Sequence, residues 1–473
     1  MATRLWPFAA GAGRIAPGEG IRPMATTFNE AISRAPLKAF SIATFAICML
    51  VLIADGMDAQ ILGIVAPIVI ADFETTGGMF GWAMGAALVG FGIGSWGGGW
   101  LGDTIGRRWS LALATVVFSL GTIGASWSEG VWDMAAWRIM SGLGFGSAYA
   151  NAITLAGEWL PERWRSVGVT TLSVGTPAGG LVVASLAPTM VEAFGWRGTF
   201  VAIGVATLAV VVIILALLRD SPSFLLARGK PEEAQRAARR VLDEDISLEP
   251  ERHHSDRADG SVTGVFDPAN KRLNIGLGIA FAAATLVAYG ILNWSTTFLT
   301  AKGFAFDEAS YAVAVGGMTS IAASIAAGLL VQRFGSRIVL ASFSFGLLAT
   351  LIVLALLLES NPGTPSDDEM LAVVVLIGLA AALFSGSIAS FYALMTYAYP
   401  SSCRSAGIGF GIFVGRVGAI AASVGGGWLI GVGEGSLLPF FGVLCVGAVL
   451  ISSAAFVNDR HVPPAGKRAT APA

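Results

Sequence analysis

The sequence predicts an all-α membrane protein whose twelve transmembrane helices form two pseudo-symmetric bundles of six. The first observation is composition: of 473 residues, 55% are hydrophobic and only 13% are charged, with a mean hydropathy of +0.72, whereas soluble domains are about 25% charged. The second is that apolar runs of about 20 residues, long enough to cross a bilayer as a helix, recur along the chain. The third is that the two halves of the chain share short motifs.

The apolar runs locate the predicted spans, and a long polar segment separates the sixth span from the seventh. Within this segment, PEEAQRAARRVL predicts a surface helix with Pro231 in its first turn, and the remainder is typical of a linker. The spans are 40–70, 79–101, 109–127, 131–155, 166–190, 198–218, 273–299, 308–331, 338–358, 371–395, 406–430 and 437–457. The chain is thus divided into a cytoplasmic tail expected to be disordered (1–37), a first bundle (38–218), a cytoplasmic loop (219–272), a second bundle (273–457) and a cytoplasmic tail (458–473).

The internal repeat supports this division. GGWLGDTIGRRWSL (98–111) aligns with AGLLVQRFGSRIVL (327–340), and LPERWRSVG (160–168) aligns with YPSSCRSAG (399–407). Two repeats of six helices, related by an axis along the membrane normal, describe a secondary transporter with its binding site near the bilayer midplane.

Charge distribution predicts the orientation in the membrane. Most of the 29 Lys and Arg residues fall in the tails and in alternate connecting segments, while the other connections are acidic. The positive-inside rule therefore predicts that both termini are cytoplasmic. We expect the chain to lie in the inner (plasma) membrane. The first 28 residues lack the apolar core of a signal peptide, and Met24 is an alternative start.

Several function classes are not supported by the sequence. The three cysteines are scattered and the three histidines fall in polar segments, so no zinc site is predicted. Nucleotide-binding and hydrolase motifs are also missing: GIGSWG (92–97) fits G-x-G-x-x-G but lies within a predicted helix. We therefore expect neither an enzyme nor an ATP-driven pump, and no cofactor, with a proton gradient as the energy source.

Two acids inside the first predicted span are the main functional signal. Asp55 and Asp58, in ADGMDAQ, share one helical face near the bilayer centre. A charge there costs about 2.5–3.5 kcal/mol on insertion scales, so this face should line a cavity. Because neighbouring carboxylates resist ionising together, at least one could carry a proton. The alternative is that one acid merely pairs with an arginine in a closed core.

Two arginines within predicted spans are the natural partners of anions. Arg416 lies close to mid-membrane and is our candidate for binding a substrate carboxylate, since a guanidinium can bind it bidentately. Arg138 is our candidate partner of the helix-1 acids in proton coupling. The two roles could be exchanged, and purely structural ion pairing is the alternative for both.

Short motifs identify the family that the chain resembles. GGWLGDTIGRR matches the G-x-L-x-D-x-x-G-R-R signature between helices 2 and 3 of the major facilitator superfamily, and RIMSGLGFG (138–146) matches its helix-4 pattern. ADGMDAQILGIVAP, and YPSSCRSAGIGFGIFVGRVGA with Arg416, resemble the aromatic acid:proton symporters. The second-half loop departs from the signature with Gln332, and GTPAGG (175–180) lacks the spacing of the antiporter motif.

The resemblance implies a gating role for the loop after helix 2, which would latch the two halves in the outward-open state. Glu158 either joins this charge network or is simply solvated. The candidate gating residues are Gly99, Asp103, Gly106, Arg107, Arg108 and Glu158.

Aromatic and polar residues on predicted helices 7 and 10 are further candidates, because the superfamily usually contacts substrate there. Tyr289, Asn293 and Trp294 lie on the former, and Phe391 and Tyr392 on the latter. A benzenoid ring could stack on such side chains, although plain packing is the alternative for each.

The sequence thus predicts a monomeric proton symporter that imports a small aromatic carboxylate such as a hydroxybenzoate. The alternatives are a proton-coupled importer of another organic acid or a sugar, a drug/proton antiporter, and a nutrient sensor with the same fold. The expected partners are the substrate, protons and the lipid bilayer, and no nucleic acid.

Overall fold

The computed structural model describes residues 26–242, 248–249, 264–360, 365–399 and 403–464. Nearly all of these residues lie in α-helices. The only strands in the described part are a two-residue pair, β1 (Thr26–Thr27) and β2 (Leu248–Glu249), which run parallel.

The first half of the chain forms the helices before the long connection. They are α1 (Phe28–Arg34), α2 (Ala39–Ile64), α3 (Ala66–Asp72), α4 (Gly77–Ile105), α5 (Arg107–Ala125), α6 (Val131–Trp159), α7 (Glu162–Leu172), α8 (Gly175–Leu217), α9 (Pro222–Ala227) and α10 (Pro231–Ala238).

The second half follows a short 3₁₀ turn, Pro268–Asn270. Its helices are α11 (Lys271–Ala301), α12 (Phe306–Phe334), α13 (Ser336–Ser360), α14 (Asp367–Ala398), α15 (Arg404–Val432), α16 (Leu438–Ile451) and α17 (Ser453–Phe456).

These helices account for the twelve predicted spans. Ten are long and apolar enough to cross a membrane. One of the ten, α8, contains two spans joined at Gly195, whose φ of +67° breaks the helical backbone. The twelfth span is α6, which carries the charged residues Asp133, Arg138 and Glu158.

The repeated motif has the same backbone conformation in both halves. Gly106, between α4 and α5, has φ 101° and ψ 149°; Gly335, between α12 and α13, has φ 85° and ψ 153°. Because L-residues with a side chain rarely adopt such positive φ values, glycine is required at both turns. This matches the alignment of the two halves in the sequence.

The loops fall on two opposite faces of the molecule. We call the face that carries Gly106, Gly335, α9 and α10 the terminal face, because both ends of the described chain lie there. We call the opposite face, with residues 73–76, 127–130 and 302–305, the far face. The outer surface between them is apolar, with exposed side chains such as Trp96 and Ile93, as expected for contact with lipid.

The prediction of a disordered tail through residue 37 is wrong for residues 28–34, which form α1. Thr27 caps this helix through the Glu30 N–H. Phe28 and Ile32 are buried, and the Phe28 ring lies edge-on to Trp159 at 5.6 Å. Burial of two apolar side chains explains why the segment folds onto the terminal face. Residues 1–25 lie outside the described part.

The two bundles approach each other most closely in their far halves. A Cβ on Gly81 would lie 2.6 Å from the Val424 carbonyl oxygen, and one on Gly77 would lie 3.3 Å from the Gly427 Cα. The Thr296 hydroxyl donates to the Gly63 carbonyl at 2.6 Å. Small residues thus let α4 pack on α15 and α2 on α11.

Candidate functional site

Asp58 is the centre of a buried charge cluster between α2, α5 and α6. Its Oδ2 accepts a hydrogen bond of 2.7 Å from Arg138 Nη1, and its Oδ1 accepts one of 2.8 Å from the Thr122 hydroxyl. Arg138 Nη2 also donates to the Asp58 carbonyl oxygen at 3.2 Å. Asp58 is 4% exposed and Arg138 is 2% exposed, so each charge depends on the other in place of water.

Asp55, one turn earlier on the same face, is buried and forms no ion pair with an arginine of the described residues. Its Oδ2 accepts a hydrogen bond of 3.0 Å from the Thr176 hydroxyl of α8. Gly56 makes this approach possible, since a Cβ there would lie 2.0 Å from the Thr176 carbonyl oxygen. The Asp55 carboxylate interacts electrostatically with Asp58, Arg416 and Arg138. The two acids therefore interact electrostatically with each other, but Asp58 is bonded by an arginine and Asp55 by a threonine.

Arg416 lies among aromatic rings where α15 meets α4. Its guanidinium carbon is 3.7 Å from the centroid of the Phe91 ring, and its Nη1 donates to the Tyr289 hydroxyl at 3.2 Å. In the described part of the chain no carboxylate forms an ion pair with Arg416, although Asp55 interacts with it electrostatically. This cation on an aromatic surface is well suited to an anion that also carries a ring.

Tyr149 belongs to the same cluster and was missed in the sequence analysis. It interacts electrostatically with Tyr392, Arg416, Asp55 and Tyr289, and its ring lies 5.9 Å from that of Phe91. In the sequence it lies within FGSAYAN of predicted helix 4. Nothing in this stretch distinguishes it from aromatic residues that only pack between helices. Only the packing of α6 on α4, which brings Tyr149 close to Phe91, reveals it.

The candidates on α11 and α14 divide into two groups. Tyr289 and Tyr392 face the Arg416 cluster, and Tyr392 is 40% exposed. Phe391 is fully buried and packs against Phe281 at 5.6 Å.

Asn293 and Trp294 form the second group, because their side chains donate hydrogen bonds to α15. Asn293 Nδ2 donates to the Ser423 hydroxyl at 2.9 Å, and Trp294 Nε1 donates to the Ala422 carbonyl at 3.2 Å. This favours packing over substrate contact for both residues.

The predicted gating residues meet at the terminal face. Arg107 Nη2 lies 2.5 Å from Asp103 Oδ1, and Arg107 Nε lies 3.7 Å from Glu158 Oε1. The Arg107 Nη1 donates to the Gly99 carbonyl at 3.3 Å. Glu158 is therefore part of this charge cluster. Its role in gating stays a prediction.

Asp220 is a further member that the sequence analysis did not single out. Its Oδ1 accepts a hydrogen bond of 2.9 Å from the Arg108 backbone N–H, and a Cβ on Gly106 would lie 2.6 Å from the same oxygen. Burial raises the pKa of Asp220 above its usual value. Arg108 also donates from Nη2 to the Leu215 carbonyl. The loop 106–108 is thus fastened to the end of α8.

Comparison with known proteins agrees with this arrangement. The model of the Major Facilitator Superfamily matches residues 48–423. A gallate transporter of Pseudomonas putida is 27% identical over 421 residues, covering 86% of this chain and 90% of the relative. A 4-hydroxybenzoate transporter of Acinetobacter baylyi is 26% identical over 437 residues, covering 90% of this chain and 93% of the relative. The expected resemblance to aromatic acid transporters is confirmed by these relatives.

Solved structures show the same fold at lower sequence identity. An inward-open xylose transporter of E. coli has a TM-score of 0.67 at 16% identity, covering 89% of this chain and 97% of that one. The inward-facing, unoccupied bacterial homologue of the lysosomal transporter Spinster has a TM-score of 0.65 at 14% identity, with coverage of 89% and 94%. Since the family model spans well over half of the chain and the twelve helices adopt the shared fold, the chain belongs to the major facilitator superfamily and is a membrane transporter rather than an enzyme.

Proposed function

We propose that the chain imports a small aromatic carboxylate, of the hydroxybenzoate or benzoate kind, by proton symport. The observation that carries the proposal is the Arg416 guanidinium lying 3.7 Å from the Phe91 ring centroid, within the field of Asp55. The names of the relatives, transporters of gallate and 4-hydroxybenzoate, support the substrate class.

Arg416 is the proposed binding group for the substrate carboxylate. It could exchange its hydrogen bond with Tyr289 for the planar, bidentate contact that guanidinium makes with a carboxylate. The substrate ring would then lie among Phe91, Tyr149 and Tyr392, where aromatic faces and edges are available.

Asp55 is the proposed proton carrier. Asp58 is held by an ion pair with Arg138 and by a hydrogen bond from Thr122. Asp55 has one threonine donor and is 2% exposed, and a buried carboxylate without a cationic partner favours the neutral form. Protonation of Asp55 together with capture of the anion by Arg416 would leave the cavity electrically balanced before the bundles move.

Arg138 is proposed to link the two acids. Its Nε is buried and has no hydrogen-bond partner among the described residues. A guanidinium has five N–H donors, so Arg138 could hold Asp58 and still respond to the charge on Asp55.

The orientation and conformation follow from charge and from contacts between the bundles. We infer that the terminal face is cytoplasmic, in the inner membrane, because basic residues concentrate there. Close contacts join the far halves of α4 and α15, whereas a Cβ on Gly92, Gly99 or Gly409 would meet no described atom within 4 Å. These contacts support a state open toward the cytoplasm. We also propose that the carrier works as a monomer.

The proposal is tested with purified protein in proteoliposomes. Uptake of radiolabelled 4-hydroxybenzoate should be driven by an inside-alkaline pH gradient and abolished by a protonophore. Substrate added to de-energised vesicles should alkalinise the medium. A xylose or a cationic-drug substrate in place of the acid should give no signal. Uptake that persists after full dissipation of the gradient and the potential would contradict symport.

A further inference from the structure

A cavity separate from the Arg416 cluster opens at the terminal face. Its volume is about 790 Å³, and it lies between the α4–α5 turn, the end of α8, and helices α9 and α10. Six of its lining side chains are basic and two are acidic. They are Arg108, Arg219, Arg228, Lys230, Arg236 and Arg240, with Asp220 and Glu233. The cavity therefore carries an excess of positive charge that the transport proposal does not use.

The two acidic residues offset only part of this charge. Glu233 Oε1 lies 3.1 Å from Lys230 Nζ. Arg236 Nη2 lies 3.9 Å from Oε2 of Glu232, which is outside the cavity lining, and both side chains of this pair are exposed. Asp220 accepts the Arg108 backbone N–H at 2.9 Å and also interacts electrostatically with the Arg108 guanidinium.

Two arginines at the inner end of the cavity are unfavourably placed without an anion. The guanidinium groups of Arg108 and Arg219 repel each other electrostatically. Arg108 Nε is buried and has no hydrogen-bond partner among the described residues. A phosphate between them would accept hydrogen bonds and remove the repulsion.

The rim of the cavity is apolar on the side of the transmembrane helices. Ile105 is 42% exposed and Trp109 is 51% exposed, and both line the cavity. Tryptophan is enriched where a membrane protein meets the lipid headgroups. An apolar rim beside a basic interior fits an amphipathic ligand better than a fully soluble one.

We propose that this cavity binds the phosphate headgroup of an anionic phospholipid, whose acyl chains lie along Ile105 and Trp109. Basic pockets on the cytoplasmic side of membrane proteins bind such headgroups. A soluble phosphate compound shares the headgroup chemistry, and the rim favours the lipid. Because Asp220 fastens Arg108 beside Gly106, the occupied cavity would adjoin the predicted gating loop.

The test is native mass spectrometry of the full-length protein in detergent, titrated with phosphatidylglycerol, phosphatidylcholine or inorganic phosphate. Phosphatidylglycerol should bind at least about tenfold more tightly than phosphatidylcholine, and more weakly as salt is raised. The triple variant Arg228→Gln, Arg236→Gln, Arg240→Gln should lose roughly a hundredfold in affinity for phosphatidylglycerol, about fivefold for each arginine.

The matched control is the triple variant Arg272→Gln, Arg333→Gln, Arg337→Gln. It removes the same charge from exposed positions of the same face, outside the cavity, and should bind as wild type does. Equal losses in the two triples would show a general surface potential and overturn the proposal. So would equal binding of the two lipids by wild type, or binding of inorganic phosphate without phosphatidylglycerol.

The charge-retaining triple variant Arg228→Lys, Arg236→Lys, Arg240→Lys guards against misfolding of the glutamine variant. It should keep most of the binding, because a lipid phosphate is attracted by point charge as well as by the guanidinium fork. Loss of binding in this variant to the level of the glutamine triple, with both folded, would also overturn the proposal. The outcome is independent of proton-driven uptake, which is measured separately.

Discussion

At the scale of single residues, Asp55 and Asp58 differ in how much the fold depends on them. Replacing Asp58 with Asn would leave Arg138 as a buried charge without its partner, and such broken pairs cost about 3–5 kcal/mol. Among the described residues, Asp55 is bonded by the Thr176 hydroxyl and by no arginine, so we expect a much smaller loss when Asn replaces it. Denaturation of both variants in detergent measures the difference. Equal destabilisation would show that the Arg138 pairing does not distinguish the acids.

The transport phenotypes of these variants should also differ. Asp55→Asn should lose accumulation of substrate against its gradient, because an amide does not carry the proton. It should keep exchange of substrate across the membrane, since the cavity retains its shape. Counterflow and energised uptake in the same vesicles separate the two activities. Normal accumulation by Asp55→Asn would remove it as the proton carrier and make Asp58 the candidate.

Arg416 allows a prediction about recognition of the substrate carboxylate. Arg416→Ala should weaken binding of the acid by about 2–5 kcal/mol. Arg416→Lys should also bind poorly, because an ammonium lacks the planar fork. The neutral amide analogue should bind wild type weakly and lose little more in either variant. Calorimetry on purified protein completes this cycle, and equal penalties for acid and amide would assign Arg416 to packing or gating.

At the scale of elements, glycines set how closely the helices approach. A Cβ on Gly418 of α15 would lie 1.9 Å from the Ala282 carbonyl oxygen of α11, whereas one on Gly425 of α15 would meet nothing within 4 Å. Gly418→Ala should therefore destabilise the protein by about 1–3 kcal/mol through overpacking. Gly425→Ala should be neutral or slightly stabilising, since alanine favours the helix. Similar stabilities of the two variants in a thermal melt would refute the packing argument.

The segment after α17 provides a pH-dependent contact on the terminal face. Ser336 and Val462 exchange hydrogen bonds of 2.9 and 3.0 Å, and His461 Nδ1 lies 3.3 Å from the Ser336 hydroxyl. Burial lowers the pKa of His461 below its usual value, so the folded state favours the neutral ring.

Because the folded state lowers the pKa of His461, the direction of its effect on stability is defined. The unfolded chain takes up a proton near pH 6.5, before the folded chain does, so the stability contributed by neutral His461 is lost as the pH falls through that range. The melting temperature of wild type should therefore fall more steeply between about pH 8 and pH 5 than that of His461→Asn. Parallel curves for the two proteins would exclude this contribution.

At the scale of the whole molecule, transport requires the far halves of the bundles to separate. A Cβ on Gly78 of α4 would lie 3.5 Å from the Trp428 Cβ of α15, within the roughly 3.5–4.5 Å found in disulfides. In a background with Cys48, Cys403 and Cys445 replaced, the double variant Gly78→Cys, Trp428→Cys should form a disulfide on oxidation.

This disulfide should block uptake, because it holds the far face closed, and reduction should restore it. The two single-cysteine variants are the controls and should transport under both conditions. Full transport by the oxidised, cross-linked protein would show that these halves do not part during the cycle.

The sequence by itself determined the twelve helices, the repeat and the position of the buried charges. Length and apolarity suffice for spans because a bilayer forces backbone groups into helical hydrogen bonds. Gly106 and Gly335 were visible as aligned turn residues, since only glycine readily adopts the conformation both have. Asp55, Asp58, Arg138 and Arg416 stood out because charge is rare in such helices.

Only the tertiary structure decided which of these groups meet. Arg138 pairs with Asp58 rather than with Asp55, and Tyr149 belongs to the Arg416 cluster. Asn293 and Trp294 donate hydrogen bonds to α15. The hydrophobic spacing of a lipid-embedded helix is nearly uniform, so it does not say which face meets which neighbour. That choice depends on the rotation of each helix about its axis, which close contacts between distant segments fix.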